Sequence, residues 1–153
     1  MDALTLAAAA LALVTHAALT GLFYSFSMSV MPGLDAVEPG QAETAMRSIN
    51  VKILNPWLYL AFLGAPIMSA ATGALLLASG DTTAALLLFA ATAVNFLGSV
   101  VVTATVNVPM NNALNAGKLS WAAYSPRWTR WNTARAVCCA LGVLLVGAGL
   151  VAW

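Results

Sequence analysis

Four uncharged stretches limit what this chain can become. No Asp, Glu, Lys or Arg occurs from Ala3 to Leu34, from Ile53 to Gly80, from Thr82 to Gly117 or from Ala136 to Trp153. A helix needs about 20 apolar residues to cross a hydrocarbon core of roughly 30 Å, and the last run, at 18, is the tightest of the four. The chain is 61% hydrophobic and 7% charged, where a globular domain is about 25% charged. The runs therefore read as membrane spans of one domain, residues 1–153, at roughly 3–33, 56–79, 82–106 and 131–153. Barrel strands would alternate strictly, and "LTLAAAALALV" does not. The first run also lacks the basic flank of a secretory signal and is about twice the usual length of its apolar part, so an uncleaved helix is expected.

Orientation follows from the six basic residues, since positively charged loops stay in the cytoplasm. Arg47 and Lys52 lie between spans one and two, and Lys118, Arg127, Arg130 and Arg135 lie at or after the end of span three. The other face, with both termini and the Gly80-Asp81 turn, has none. Both termini are thus expected outside the cytoplasm. A net charge of +1 offers no field for nucleic acid. Cys138 and Cys139 are adjacent on one helix and point about 100° apart, which favours apolar packing over a disulfide.

Between the spans the pattern changes. After "MPGLD", where Pro32 and Gly33 stop the first helix, Ala42, Ala45, Met46, Ile49 and Ile53 recur at helical spacing and predict a short amphipathic helix at the cytoplasmic interface. Asn55-Pro56 opens the second span, and Pro66 within it predicts a kink. "SGDTT" is a tight turn, with Asp81 or Thr82 capping the third span. From Asn107 to Ser125 the helical period is lost, which predicts an ordered loop with at most one helical turn. "SPRW" places proline at a first helical position, so the last helix is expected to begin at Pro126. The fold class is all-α, an integral membrane four-helix bundle with one interfacial helix and one ordered cytoplasmic loop.

Polar side chains in hydrocarbon are costly unless paired. Steps of four from the single histidine give His16, Thr20 and Tyr24, with Ser27 beside them, and the third span repeats the device with Asn95, Ser99, Thr103 and Asn107. Both stripes should face the bundle interior. The plain alternative for hydroxyls is a bond to their own helix. His16 is ionisable, and such a residue inside a membrane is a functional candidate. The cytoplasmic ends gather Asn50, Asn55, Asn111, Asn112, Trp121, Tyr124, Trp128, Trp131, Asn132 and Arg135. Asn is common in caps, and Trp and Tyr in interfacial belts, yet the opposite face has few such residues. "NVPMNN", Asn107 to Asn112, is read as non-helical backbone at the floor of a pocket, since such backbone survives at membrane depth only inside protein or beside a cavity.

The segments "GLFYSFSMSVMPGL", "MRSIN", "NPW", "NVPMNNALN" and "WAAYSPRWTRWNTAR" together resemble the anthrone oxygenase family of small membrane proteins, over nearly the whole chain. The resemblance implies a four-helix membrane protein, some of whose characterised relatives oxidise anthrones to anthraquinones. An anthrone needs only to be deprotonated and held, because its enolate reacts directly with O2. On that chemistry His16 is the expected base, and Arg135 with Asn107 or Asn132 faces the oxyanion. Tyr24, Trp121, Tyr124, Trp128 and Trp131 stack on the rings, and Asn50, Asn55, Asn95, Asn111 and Asn112 complete the substrate contacts. The partner would be a lipophilic aromatic small molecule, in a lipid bilayer. One histidine and no carboxylate within a span cannot form a conventional metal triad from one chain. No cofactor is predicted, although haem on His16, with Met28, Met31 or Met68 as second ligand, stays open. The oligomeric state is open as well. Two other readings remain: a bundle that binds or passes such a ligand without chemistry, and a structural membrane subunit with no enclosed pocket.

Overall fold

The four apolar runs become four long helices. The computed structural model describes residues 2–153, so residue 1 of the expected domain lies outside it. In chain order the helices are α1 (Ala3–Asp35), α2 (Pro39–Lys52), α3 (Pro56–Ser79), α4 (Thr82–Asn115) and α5 (Trp121–Ala152), with no strand among the described residues. All but α2 are long and apolar enough to cross a membrane, which fits a multi-pass membrane protein. They form a ring in which α1 packs on α3 and α5, and α4 on the same two. Consecutive spanning helices therefore lie side by side; a tight turn joins α3 to α4, a short segment joins α4 to α5, and α2 lies in the connection from α1 to α3.

Local chemistry sets the ends. Asp2 caps α1 by accepting from the backbone N–H and the hydroxyl of Thr5, at 2.8 and 2.7 Å. Those bonds, the backbone one first, hold its carboxyl below the ordinary value. Asn55 caps α3 by accepting from the N–H groups of Trp57 and Leu58. Gly80 ends α3 at φ +93°, a left-handed conformation that glycine adopts without strain.

Helices α1 and α4 are not α-helical throughout. Each widens into π-helical turns, Phe26–Val30 in α1 and Phe96–Val101 and Thr103–Asn107 in α4. Pro32 and Pro109 each follow such a turn by two residues. Proline in an α-helix removes one N–H and crowds the carbonyl four residues back. A π turn has already displaced those carbonyls, so both helices run on past their prolines.

This corrects two expectations. Asn107–Ser125 is not mainly loop, because α4 continues to Asn115 and only Ala116–Ser120 joins it to α5. The last helix starts at Trp121, not Pro126, which lies inside it. Its first turn is held by tertiary contacts: Glu43 of α2 accepts from the Trp121 N–H at 3.0 Å. Asp35 accepts from Trp121 Nε1 at 2.8 Å and from the Ser125 hydroxyl at 2.7 Å. A helix, α2, forms over the stretch expected to be amphipathic, and its Ala42 and Met46 are turned inward, fully buried in a cluster with Met31, Leu114, Trp121 and Tyr124. It covers the end of the bundle that carries the basic residues.

At mid-bundle the helices approach closely. A Cβ on Gly142 of α5 would stand 2.6 Å from Nε2 of His16 on α1. Gly142→Ala is expected to cost about 1–3 kcal/mol through overpacking, read as a lower unfolding temperature. His16→Ala in the same chain should recover part of that loss, because residues in contact do not add independently.

Candidate functional site

Toward the basic end the ring loosens. Helix α3 packs on α4 between its own residues and Thr82–Asn95, while the π-helical turns of α4 pack on α5 instead. The gap between α3 and that part of α4 belongs to a cavity of about 310 Å³, at the small end of the roughly 300–1,000 Å³ found for ligand sites. Phe23 and Phe26 of α1 form one wall, and Leu58, Tyr59 and Phe62 of α3 another. Val100, Thr103, Ala104, Val108 and Asn111 come from α4, and Trp128, Asn132 and Arg135 from α5. Met46, Ile49 and Asn50 of α2 close the end. The exposed large side chains of the lining are Leu54 at 60%, Tyr59 at 49% and Val108 at 41%. Together with exposed Ala104 they place the mouth between α3 and α4, on the apolar flank of the bundle.

The chemistry of the wall centres on Arg135, which is 5% exposed. Its Nη1 donates to the Thr103 hydroxyl at 2.9 Å and its Nη2 to Asn132 Oδ1 at 2.8 Å, while Nε is buried without a partner. The guanidinium carbon stands 4.3 Å from the Phe23 ring centre and 5.5 Å from that of Trp128. The amide of Asn132 is fixed in turn, donating to the Phe23 carbonyl at 2.6 Å and to the Ser27 hydroxyl at 2.7 Å. Arg135 has no carboxylate partner. Among the described residues the one salt bridge joins Arg47 to Glu43 at 3.2 Å. A buried cation held by neutral groups and aromatic faces, on a cavity wall, is a site for an anionic or strongly polarised oxygen.

Asn111 organises the aromatic side. Its Oδ1 accepts from both the Tyr124 hydroxyl and Trp128 Nε1, each at 2.8 Å. Tyr124 stacks on Trp128 at 6.1 Å and packs against Trp121 at 5.6 Å. These bonds fix the Trp128 ring at the cavity edge.

Of the residues singled out from the sequence, Arg135, Asn132, Trp128, Asn111 and Asn50 meet on the cavity wall. Tyr124 and Trp121 stand behind it, packed with Trp128, and Asn107 is buried off the wall with both side-chain atoms unpaired. The others lie elsewhere. Tyr24 is 58% exposed, on an outer groove beside Thr20, Met28 and Val137. Trp131 is 38% exposed and lies in a second groove with Arg127 and Arg130. Asn112 is exposed, and Asn55 is occupied as a cap.

His16 and Asn95 are fully buried but off the cavity wall. Gly142, against which His16 packs, lies seven residues beyond Arg135, about 10 Å along α5. The expected base and the expected oxyanion holder therefore stand in different layers. The closeness of α5 to Nε2 leaves no space for a porphyrin there, so the residues do not fit haem ligation through His16. Among the described residues no three His, Cys, Asp or Glu side chains converge on a metal position.

Sequence reasoning missed the apolar wall of Phe23, Phe26, Tyr59 and Phe62. Alternating steps of three and four from His16 give Leu19, Phe23 and Phe26, all buried, and that spacing was the available signal.

A family profile described as anthrone oxygenase matches residues 57–145, more than half of the chain. That range contains the α3, α4 and α5 walls of the cavity. No curated protein and no solved structure matches.

Proposed function

The chain belongs to the anthrone oxygenase family, and from that premise we propose that the cavity binds a planar polycyclic phenol or anthrone as its oxyanion and presents it to O2. The observation that carries this reading is the buried Arg135, unpaired with any carboxylate, on an otherwise aromatic and aliphatic wall. A cation beside a ligand hydroxyl or enol favours its ionised form by about 1–3 pKa units. Asn132, locked by the Phe23 carbonyl, holds the guanidinium in place. The enolate then adds O2 at the ring carbon opposite its oxygen. The peroxide so formed takes back a proton and loses water, and the sum is one anthrone and one O2 giving one anthraquinone and one water. In this scheme O2 is the only oxidant.

The polar groups of the wall are asparagine, threonine, tyrosine, tryptophan and arginine. None is a conventional base, and that observation favours a second reading, in which the cavity binds or passes the ligand without transforming it. Oxygen uptake by the purified protein with an anthrone separates the two. The first reading expects one O2 consumed per quinone formed, above the rate in protein-free detergent. Saturable binding without added uptake would leave only the second.

In either reading the ligand enters from the bilayer through the α3–α4 mouth, and the basic end faces the cytoplasm. Ala104→Trp fills that mouth with an exposed, fold-neutral substitution. It is expected to slow turnover, or ligand association, at least about tenfold. An unchanged rate would put the entrance elsewhere.

A further inference from the structure

The cavity wall has no base, but the layer beneath it buries one. His16 Nδ1 lies 2.9 Å from the Ala12 carbonyl. A carbonyl only accepts, so Nδ1 carries the hydrogen and Nε2 presents its lone pair. Nε2 is buried with no partner. Gly142 has no side chain at the point where one would collide with the ring, and so α5 accommodates the imidazole.

Between His16 and Arg135 stands a second set of unpaired polar atoms. Asn95 Nδ2 donates to Cys139 Sγ at 3.5 Å, while Asn95 Oδ1 and the Ser99 hydroxyl have no partner. The next residue of that stripe is Thr103, whose hydroxyl accepts from Arg135. Several other hydroxyls are satisfied on their own helix: Thr15 donates to Leu11, Thr20 to His16, Thr72 to Met68 and Thr92 to Leu88. Ser99 and, on α3, Ser69 lack such a bond, and Ser99 lies on the α4 stripe that leads from Thr103 at the cavity to Asn95. Buried groups left unpaired in hydrocarbon are costly and call for internal water. The π-helical turn Phe96–Val101 keeps Asn95, Ser99 and Thr103 directed at α5.

We propose that Thr103, Ser99 and Asn95, bridged by water, form a proton path from the cavity to His16, and that His16 Nε2 is the remote acceptor of the proton released when the ligand ionises against Arg135. This rests on the oxyanion reading above and supplies the base that the wall lacks. The C–H or O–H bond of the ligand breaks, its electron pair remains on the ligand oxygen facing Arg135, and its proton passes along the path to convert imidazole to imidazolium. When the peroxide forms, the same proton returns to it and His16 is restored. His16 then acts without touching substrate, and Ser99 and Asn95 are positioning residues.

The test uses 1-hydroxyanthraquinone, which cannot be oxidised further by this route and whose phenolate absorbs to the red of the phenol. Full-length protein in detergent is mixed with it, and the rate at which bound phenolate appears and its final fraction are read together with the infrared band of imidazolium. The wild type should bind it as phenolate with imidazolium appearing in step. His16→Leu should lower the ratio of ionised to neutral bound dye at least about tenfold, and Ser99→Ala, which interrupts the path but keeps the acceptor, should slow the appearance of bound phenolate at least about tenfold, each with affinity for the neutral form within about threefold. Ser99→Ala removes only a hydroxyl that has no partner, so it stays informative should His16→Leu fail to fold. An equal rate of phenolate appearance in the wild type and Ser99→Ala, or phenolate without imidazolium, would overturn the path. Anthrone turnover measured alongside separates the two ideas: a wild type that ionises the dye through His16 but consumes no O2 supports the path and refutes the oxidation.

Discussion

Arg135→Met is expected to lower anthrone turnover at least about 100-fold while leaving the protein as stable as before, or more so. The first part follows from the role of the guanidinium as the only cation on the cavity wall. Removing one preorganised donor to a developing oxyanion typically costs about 10²–10³ in rate. The second part follows from what the folded protein loses. Arg135 is buried without a carboxylate, so desolvation of its charge is offset only by Thr103, Asn132 and the faces of Phe23 and Trp128. Replacing a buried charge by an apolar side chain of similar volume is often neutral or stabilising by about 1–4 kcal/mol. Methionine keeps the stem packed and releases Asn132 Oδ1, a modest loss. Arg135→Lys keeps the charge but loses the fork that grips Thr103 and Asn132 together, and intermediate activity is expected. The measurement is a pair, the unfolding temperature and the rate of quinone formation. A variant that melts well below the wild type but keeps its turnover would mean that Arg135 is a structural anchor and not the ligand's counter-ion.

Much of the bundle is legible because each helix has to satisfy the bilayer by itself. Uncharged runs mark its four long members, and Asn55 and the Gly80 turn mark their ends through local bonding alone. The site was harder to read, for a geometrical reason. Steps of four along an α-helix drift by about 40° each, so the stripe from His16 leaves the core, half-buried at Thr20 and 58% exposed at Tyr24. Steps of four along α4 do not drift out, because the wider π turns reverse the rotation. Asn95, Ser99 and Asn107 stay buried, with Thr103 half-buried between them. One pattern thus had opposite outcomes in two helices, and nothing local distinguishes them, since each stripe is followed by a proline, Pro32 or Pro109. The start of α5 was misplaced because its cap is Glu43, 78 residues away in sequence. A tertiary carboxylate at a helix start leaves no mark beside that start.

The motif Asn107–Asn112 shows where residue type was informative and backbone was not. Its proline does not end the helix, and Asn112 points outward, yet Asn111 holds two buried donors at once. Asn111→Leu is expected to be among the most destabilising single changes in the chain. The Tyr124 hydroxyl and Trp128 Nε1 would both be left unpaired against an apolar side chain, and an orphaned buried donor costs about 1–3 kcal/mol. Leucine has the same branched skeleton and is somewhat larger, so the loss does not report a cavity. Asn112→Leu, one residue on and exposed, should stay within about 0.5 kcal/mol of the wild type. Denaturant or thermal unfolding compares the two, with indole fluorescence following Trp128. Because that ring also lines the cavity, Asn111→Leu should weaken ligand binding even at temperatures where it is fully folded. A stable variant with an unmoved indole spectrum would show that Tyr124 and Trp128 find other acceptors, and that the cavity edge is not set by Asn111.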